Sequence, residues 1–322
     1  FANFLSQLTV SVSQHSGLLT MQQSNSTASN HTQGAVAPSV VLGLCVLVGV
    51  PGNAVVIWAL LTKLRRVTFT VKLMLNLAIT DLLTLITLPF WIYALLATWV
   101  FGSGPCKFLS YIIYCSMYAS VLSVTLMSVQ RFIMVLYPQA KLWLRRRGEN
   151  AVLLGIWALA SLFASPIIKV RDVVEDSNLQ KKCLPRTYSS DSERVVLLLL
   201  ETLLGFVIPY SILTTSYICL TRRVKQTTFA SSTRLEKVAT RIVVAFFVFW
   251  LPCHVFNVLK VCAILLKTSN MDASAKLESV WEAGNDVAGS LTFLNSCLNP
   301  FLYAFASRSL WKDAQEKGVL TA

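Results

Sequence analysis

Seven apolar segments, each long enough to cross a lipid bilayer, dominate this chain of 322 residues. A bilayer core about 30 Å thick requires roughly 20 residues of α-helix, because each residue adds about 1.5 Å. The segments cover residues 34–61, 71–97, 108–136, 151–170, 195–220, 238–266 and 284–306. We therefore predict an all-α membrane protein, a bundle of seven transmembrane helices between residues 34 and 306.

The composition and the placement of charge agree with a membrane protein. Hydrophobic residues make up 55% of the chain and charged residues 13%, which is too apolar for a soluble domain of this length. The net charge of +13 concentrates in the first, third and fifth connectors and in the C-terminal segment. By the positive-inside rule these parts are cytoplasmic and the N-terminus is extracellular. The basic residues are thus expected to face membrane lipid and acidic partners, and no nucleic-acid partner is predicted.

The two ends of the chain are more polar. Residues 1–33 contain no acid, lysine or arginine, which predicts a disordered extracellular tail, with glycosylation sequons at Asn25 and Asn30. The first residues lack the basic start and apolar run of a signal peptide, so we expect translation to begin at Met21. Residues 307–322 predict a short amphipathic helix along the cytoplasmic membrane surface.

Two of the eight cysteines lie outside the apolar parts of the predicted helices. Cys106 is at the outer entrance of the third helix, and Cys183 is in the connector before the fifth. A disulfide bond between them would pin this connector over the mouth of the bundle in an oxidising compartment. The other cysteines are small apolar residues within helices, and their spacing indicates no metal site.

Polar residues inside the predicted helices need a structural or functional reason. An ionisable group at the centre of a membrane helix costs at least about 2.5–3.5 kcal/mol. Asp81 lies inside the second helix, and polar side chains could face it from the first helix, through Asn53, and from the third and seventh helices. The predicted sodium site comprises Asp81, Ser120, Asn295, Ser296 and Asn299. A hydrogen-bonded cluster that packs helices together is the alternative, and the two roles are compatible.

Distinctive residue sets also occur in a fixed order along the helices. They are Gly52-Asn53, Leu77-Ala78 with Asp81, Cys106 with Arg131, Trp157, Pro209 with Tyr217, Trp250-Leu251-Pro252, and Asn299-Pro300-Phe301-Leu302-Tyr303. This series resembles the rhodopsin-like G-protein-coupled receptors over residues 34–317. The resemblance implies a plasma-membrane receptor for an extracellular ligand and a cytoplasmic heterotrimeric G protein. It implies no cofactor, apart from a sodium ion as an allosteric modulator.

Five shorter stretches are similar to the leukotriene B4 receptors, which bind an oxidised fatty acid. They are residues 116–122, 155–174, 183–186, 201–209 and 250–257. This resemblance implies a receptor for leukotriene B4 or a related oxidised fatty acid, coupled to an inhibitory-type G protein in chemotactic signalling.

A ligand of this kind needs a cation for its carboxylate, a few hydrogen-bonding groups and an apolar slot. Arg171 and Arg186 can bind a carboxylate through two hydrogen bonds, and Glu201 can accept one from a ligand hydroxyl. The predicted ligand site comprises Arg171, Arg186, Glu201, Tyr118, Asn257 and Asp286. A mutual ion pair between Arg171 and Glu201 that only holds helices together is the alternative.

The family resemblance also implies an activation switch. It comprises Gln130, Arg131, Tyr217, Phe246, Trp250, Pro252, Pro300 and Tyr303. Pro252 removes a helical hydrogen bond and kinks the sixth helix, so a ligand packed on Trp250 would swing the inner half of that helix outward. Gln130 departs from the family pattern, in which an acid precedes Arg131, and we expect a less restrained resting state.

Other functional classes fit the sequence less well. A transporter would show an internal repeat with broken helices, which is not evident. An enzyme is not predicted, since the chain has no His-Glu-x-x-His and no glycine-rich phosphate loop. A receptor of the same fold for a chemoattractant peptide is the closest alternative, because an acidic peptide C-terminus could bind the same arginines.

Overall fold

The computed structural model describes residues 26–62, 69–136, 146–175, 180–183, 188–226 and 233–319. Within these ranges the chain forms the seven predicted spans, which confirms the helix-bundle fold. In chain order they are Ser26–Thr62, Phe69–Leu96, Ser103–Leu136, Arg146–Ala164 with Pro166–Val170, Asp191–Thr202 with Leu203–Val207 and Ile208–Gln226, Thr233–Leu266, and Met271–Val319.

Length and composition alone identify six helices of the described chain as able to cross a membrane, namely those of the first six spans. The seventh span contains Asn285, Asp286, Asn295, Ser296 and Asn299 within its apolar segment. These residues lower its mean hydropathy. The last helix therefore carries the weakest membrane signal although it packs against the first, second and sixth spans.

Both chain ends differ from the predictions. The first helix already begins at Ser26, so residues 26–33, including Asn30, are helical in the structure where the sequence predicts a disordered tail. Asn25 and Met21 lie outside the described residues. The seventh helix begins at Met271 and runs without a break to Val319. Residues 307–319 therefore extend the seventh helix and do not form a separate element.

Two spans are irregular next to proline. The fourth span breaks at Ser165, immediately before Pro166. In the fifth span, residues Leu203–Val207 form a π-helix just before Pro209, and the backbone N–H of Ile208 donates to the Leu203 carbonyl. Proline lacks an N–H and crowds the carbonyl four residues before it, here that of Gly205, so one wider turn accommodates the ring.

A disulfide bond closes one end of the bundle, as predicted. Cys106 at the start of the third helix is bonded to Cys183, with Cα atoms 5.8 Å apart. Cys183 ends strand β2 (Lys181–Cys183), which pairs antiparallel with β1 (Val173–Glu175). The Lys181 carbonyl also accepts the Trp99 backbone N–H at 2.7 Å. We call this end of the molecule the disulfide end, and the other the Arg131 end.

The third helix is central, and it packs against the second, fourth and fifth spans. The Trp157 indole N–H donates to Asn76 Oδ1 at 2.9 Å, and Asn76 Nδ2 donates to Ser123 Oγ at 2.8 Å. This chain of hydrogen bonds joins the fourth, second and third spans inside the core. The first and seventh helices approach closely at Gly52, where an added Cβ would lie 3.0 Å from Pro300.

Candidate functional site

Arg171 lies at the disulfide end, directly after the short helix Pro166–Val170. Its Nε–H donates to Ser110 Oγ at 2.9 Å, and its guanidinium carbon lies 5.2 Å from the centroid of the Trp91 ring. Ser110 is buried and in turn donates to the Cys106 carbonyl. The third and second helices thereby fix the orientation of a planar group suited to bidentate carboxylate binding.

The neighbouring acid, Asp172, is held separately. Ser103 Oγ donates to Asp172 Oδ1 at 2.6 Å, and the Lys107 ammonium lies 3.5 Å from Oδ2. The Ser103 hydrogen bond, with help from the Val173 backbone N–H, lowers the pKa of Asp172. This carboxylate thus stays ionised and anchors the end of the fourth span to the start of the third helix.

Glu201 and Asn257 meet between the fifth and sixth spans. Asn257 Nδ2 donates to Glu201 Oε1 at 3.1 Å, and both residues are buried. A buried carboxylate requires hydrogen-bond partners, and the amide supplies one here. The structure thus brings two predicted ligand residues into direct contact, with Glu201 two residues before the π-helix.

Tyr118 is buried deeper in the bundle. A Cβ added at Gly205 would lie 3.7 Å from Tyr118 Cε1 and 3.4 Å from His254 Cε1, so the third, fifth and sixth spans meet at this glycine. The Tyr118 ring also contacts Phe163 edge-on, with centroids 5.6 Å apart. Tyr118 therefore lies about one helical turn farther from the disulfide end than the Glu201–Asn257 pair, beside His254 of the sixth helix.

An aromatic column of the sixth helix comprises His254, Trp250 and Phe246. Neighbouring rings stack, with centroids 5.9 Å apart for His254 and Trp250 and 5.2 Å for Trp250 and Phe246. Phe206 of the π-helix stacks on His254 at 5.0 Å. The three rings thus form one continuous stack, which includes the helical turn before Pro252. A ligand that displaces His254 or Trp250 would therefore also act on Phe246.

A polar cavity of about 30 Å³ lies next to Trp250. It is lined by Asp81, Thr84, Ser116, Ser120, Asn295 and Ser296, among others. Asp81 Oδ2 accepts a hydrogen bond from Asn299 Nδ2 at 2.6 Å, and Ser120 Oγ is buried with no hydrogen-bond partner among the described residues. One buried carboxylate with neutral oxygens around a small cavity is a donor set that suits a hard cation such as sodium.

Near the Arg131 end, Gln130 bonds to the second span. Thr70 Oγ1 donates to Gln130 Oε1 at 3.3 Å. Lys72, two residues along the second span, pairs with Glu149 of the fourth span at 2.9 Å.

Tyr217 is 42% exposed on the fifth span. Arg131, Tyr303 and Asp286 lie on described helices, but their side chains are outside the described part of the structure, and so is the whole of Arg186.

Sequence reasoning missed three contributors to these sites. Ser110 and Trp91 hold Arg171, and His254 connects the pocket to Trp250. Cys106 and Ser110 are four residues apart, which predicts that they share a helix face. The sequence does not reveal that Arg171 reaches that face. Lys260 is buried in the sixth span, and its position in an apolar segment was the signal that could have found it.

The sequence model of the family described as "7 transmembrane receptor (rhodopsin family)" matches residues 52–303. The chain belongs to this rhodopsin family. Leukotriene B4 receptor 1 of Homo sapiens is 34% identical over 299 residues, covering 88% of this chain and 84% of the relative. The Rattus norvegicus protein of that name is also 34% identical, and the match covers 90% of this chain and 83% of the relative. Chemerin-like receptor 2 of Homo sapiens is 32% identical, and the match covers 82% of this chain and 74% of the relative.

Membership of the rhodopsin family makes this chain a multi-pass receptor of the plasma membrane, and not an enzyme. The family implies two partners, a ligand and a heterotrimeric G protein. The pocket residues and the aromatic column of the structure are therefore parts of a rhodopsin-family receptor.

Proposed function

We propose that this receptor binds leukotriene B4 or a closely related oxidised fatty acid. The observation that carries the proposal is Arg171, a guanidinium held in a fixed orientation by Ser110 and Trp91 at the disulfide end. The relatives named leukotriene B4 receptor 1 support the same ligand class, since they match most of both chains at 34% identity.

The remaining pocket residues suit the other parts of such a ligand. The Glu201–Asn257 pair offers a carboxylate and an amide to ligand hydroxyl groups. Tyr118 and His254 border an aromatic region below that pair, which fits the apolar chain. A lipid acid thus finds its carboxylate, hydroxyl and hydrocarbon partners in that order, from the disulfide end inward.

A second candidate ligand is a chemoattractant peptide, because the similarity is not confined to leukotriene receptors and extends to relatives named chemerin-like receptor 2. An acidic peptide C-terminus would use the same arginine. Nucleotide exchange on membranes that contain the receptor and an inhibitory-type G protein separates the two candidates. We expect leukotriene B4 to stimulate exchange, and peptides with acidic C-termini to be inactive; the opposite pattern would assign the receptor to peptides.

In this proposal the disulfide end faces outward, because disulfide bonds persist in the oxidising extracellular space. The ligand presses on His254 and Trp250, and the stack carries this displacement to Phe246 and the turn before Pro252. The inner part of the sixth helix then moves away from the bundle, while Pro300 leaves the seventh helix without one backbone N–H donor. Arg131, Tyr217 and Tyr303 border the cavity that receives the G protein.

We also propose that the cavity at Asp81 binds sodium in the resting state. The carboxylate would supply the charge, and Ser120, Ser296, Asn295 and Asn299 would supply neutral oxygens around it or hold it in place. An ion that binds the resting state better than the active state must oppose agonist binding, because such coupling is reciprocal.

Replacing Asp81 by asparagine should therefore abolish the loss of leukotriene B4 affinity in sodium chloride relative to potassium chloride. The comparison is made by radioligand binding to membranes at equal ionic strength. Thr87→Val is the matched control, because Thr87 is buried on the same helix, bonds to the Thr84 carbonyl and does not line the cavity. Equal wild-type affinity in the two salts would leave the cluster with a packing role only.

A further inference from the structure

Lys260 is a buried cation at the disulfide end of the sixth span. Only 3% of its side chain is exposed, and its ammonium pairs with the Glu278 carboxylate of the seventh span. The ammonium also lies 4.1 Å from the centroid of the Trp281 ring. Lys260 is one helical turn beyond Asn257, so this cluster adjoins the proposed ligand pocket on its outer side.

Trp281 brings two further features to the cluster. Its indole N–H is buried and has no hydrogen-bond acceptor among the described residues. The Arg194 guanidinium lies 5.3 Å from the same ring. Of the acids near Lys260, Glu278 forms the direct ion pair, Glu282 interacts with it only through longer-range electrostatics, and Asp191 is bonded to Lys267 at 3.0 Å. A buried ammonium next to a ring with a buried, unbonded N–H donor is a combination that suits an anion.

The two partners of the ion pair differ in their access to water. The Glu278 side chain is 36% exposed, whereas that of Lys260 is 3% exposed. Glu278 can rotate into solvent at low cost, but Lys260 cannot follow and would remain as a buried charge without a directly bonded counterion. A buried charge in that position binds an incoming anion strongly.

We propose that Lys260 and Trp281 form a second anion site, which Glu278 occupies in this structure and which a second carboxylate on a ligand takes over. The Glu278 carboxylate thus competes with the ligand carboxylate for the Lys260 ammonium. The favoured ligand class is an oxidised fatty acid with a carboxylate at each end, one for Arg171 and one for Lys260. The choice of ligand rests on the proposed function, but the anion site does not.

The anion site is tested without any receptor ligand, by thermal unfolding of the purified full-length chain. Glu278→Ala opens space for acetate beside Lys260. We expect sodium acetate, compared with sodium chloride at equal ionic strength, to raise the Tm of this variant by about 2 °C or more. The wild type and Lys260→Met/Glu278→Ala should show no such difference. An equal acetate effect in all three proteins, or none in Glu278→Ala, would overturn the site.

The ligand class is tested by competition binding with two probes, leukotriene B4 and its analogue with a carboxylate in place of the terminal methyl group. Glu278→Gln keeps the shape of the side chain and removes the competing charge. We expect this variant to improve the affinity of the diacid relative to the monoacid about tenfold, a change of about 1.4 kcal/mol. Lys260→Met should remove that gain.

The two arms separate the possible failures. If neither lipid binds the wild type, the proposed function fails, while the acetate experiment still decides whether Lys260 is an anion site. If leukotriene B4 binds but the ratio of diacid to monoacid affinity is the same in wild type, Glu278→Gln and Lys260→Met, the pair is structural and the inference is wrong. Loss of folding in Glu278→Ala leaves the Glu278→Gln comparison as the deciding result.

Discussion

Replacing Arg171 by alanine should weaken leukotriene B4 binding by about ten- to a hundred-fold, because hydrogen bonds to a charged group contribute about 1.5–3 kcal/mol. The guanidinium is the cation that Ser110 and Trp91 hold at the disulfide end, so its loss removes the carboxylate partner. Saturation binding of the radiolabelled lipid to membranes measures the change. Antibody staining of the cell surface confirms that the variant is expressed.

Two further variants make this result specific. Lys169→Ala removes a cation from the adjacent short helix, where it is 70% exposed and paired with Glu193, and should leave affinity unchanged. Arg171→Lys keeps the charge but loses the planar fork, so we expect an intermediate affinity. Wild-type binding by Arg171→Ala at normal expression, or an equal loss in Lys169→Ala, would contradict the assigned role of Arg171.

Replacing Gln130 by aspartate should lower signalling in the absence of agonist about tenfold, which corresponds to a restraint of about 1.4 kcal/mol on Arg131. In family members an acid at this position holds the arginine inward. Here the position carries a neutral amide that accepts a hydrogen bond from Thr70. Basal nucleotide exchange on membranes, at matched receptor expression, measures the difference.

Thr70→Ala is the matched control for this experiment, since it removes the hydrogen bond to Gln130 without adding charge. We expect it to leave basal exchange close to that of the wild type. Equal basal exchange in the wild type and Gln130→Asp would mean that the amide and its neighbours already restrain Arg131. The proposal that Gln130 leaves the resting state less restrained would then be wrong.

The seven spans were predictable because bilayer thickness fixes the length of an apolar helix. The boundaries were less predictable. Residues 271–283 include Asp272, Lys276, Glu278 and Glu282, which are too polar for a membrane span, although the helix begins at Met271. Hydropathy reports where a helix leaves the hydrocarbon and not where it ends. The same limit explains why residues 26–33 and 307–319 were not assigned to the first and seventh helices.

Charged pocket residues were easier to predict than their partners. Arg171 and Glu201 stand out because charge is rare in apolar helices. Ser110, Trp91 and His254 are ordinary residues whose importance depends on which helix faces reach them in the folded bundle. Lys260 was overlooked because a lysine near the end of a span usually extends to the headgroups. Its burial beside Trp281 and Glu278 became visible only in three dimensions.

Competition between leukotriene B4 and its methyl ester for the wild-type receptor tests most directly whether Arg171 and its surroundings recognise a lipid carboxylate. The ester keeps the hydroxyl groups and the hydrocarbon chain and removes only the negative charge. Radiolabelled leukotriene B4 should bind membranes saturably, and the free acid should displace it at concentrations at least about tenfold lower than the ester. The absence of saturable binding, or equal displacement by acid and ester, would contradict the proposed function.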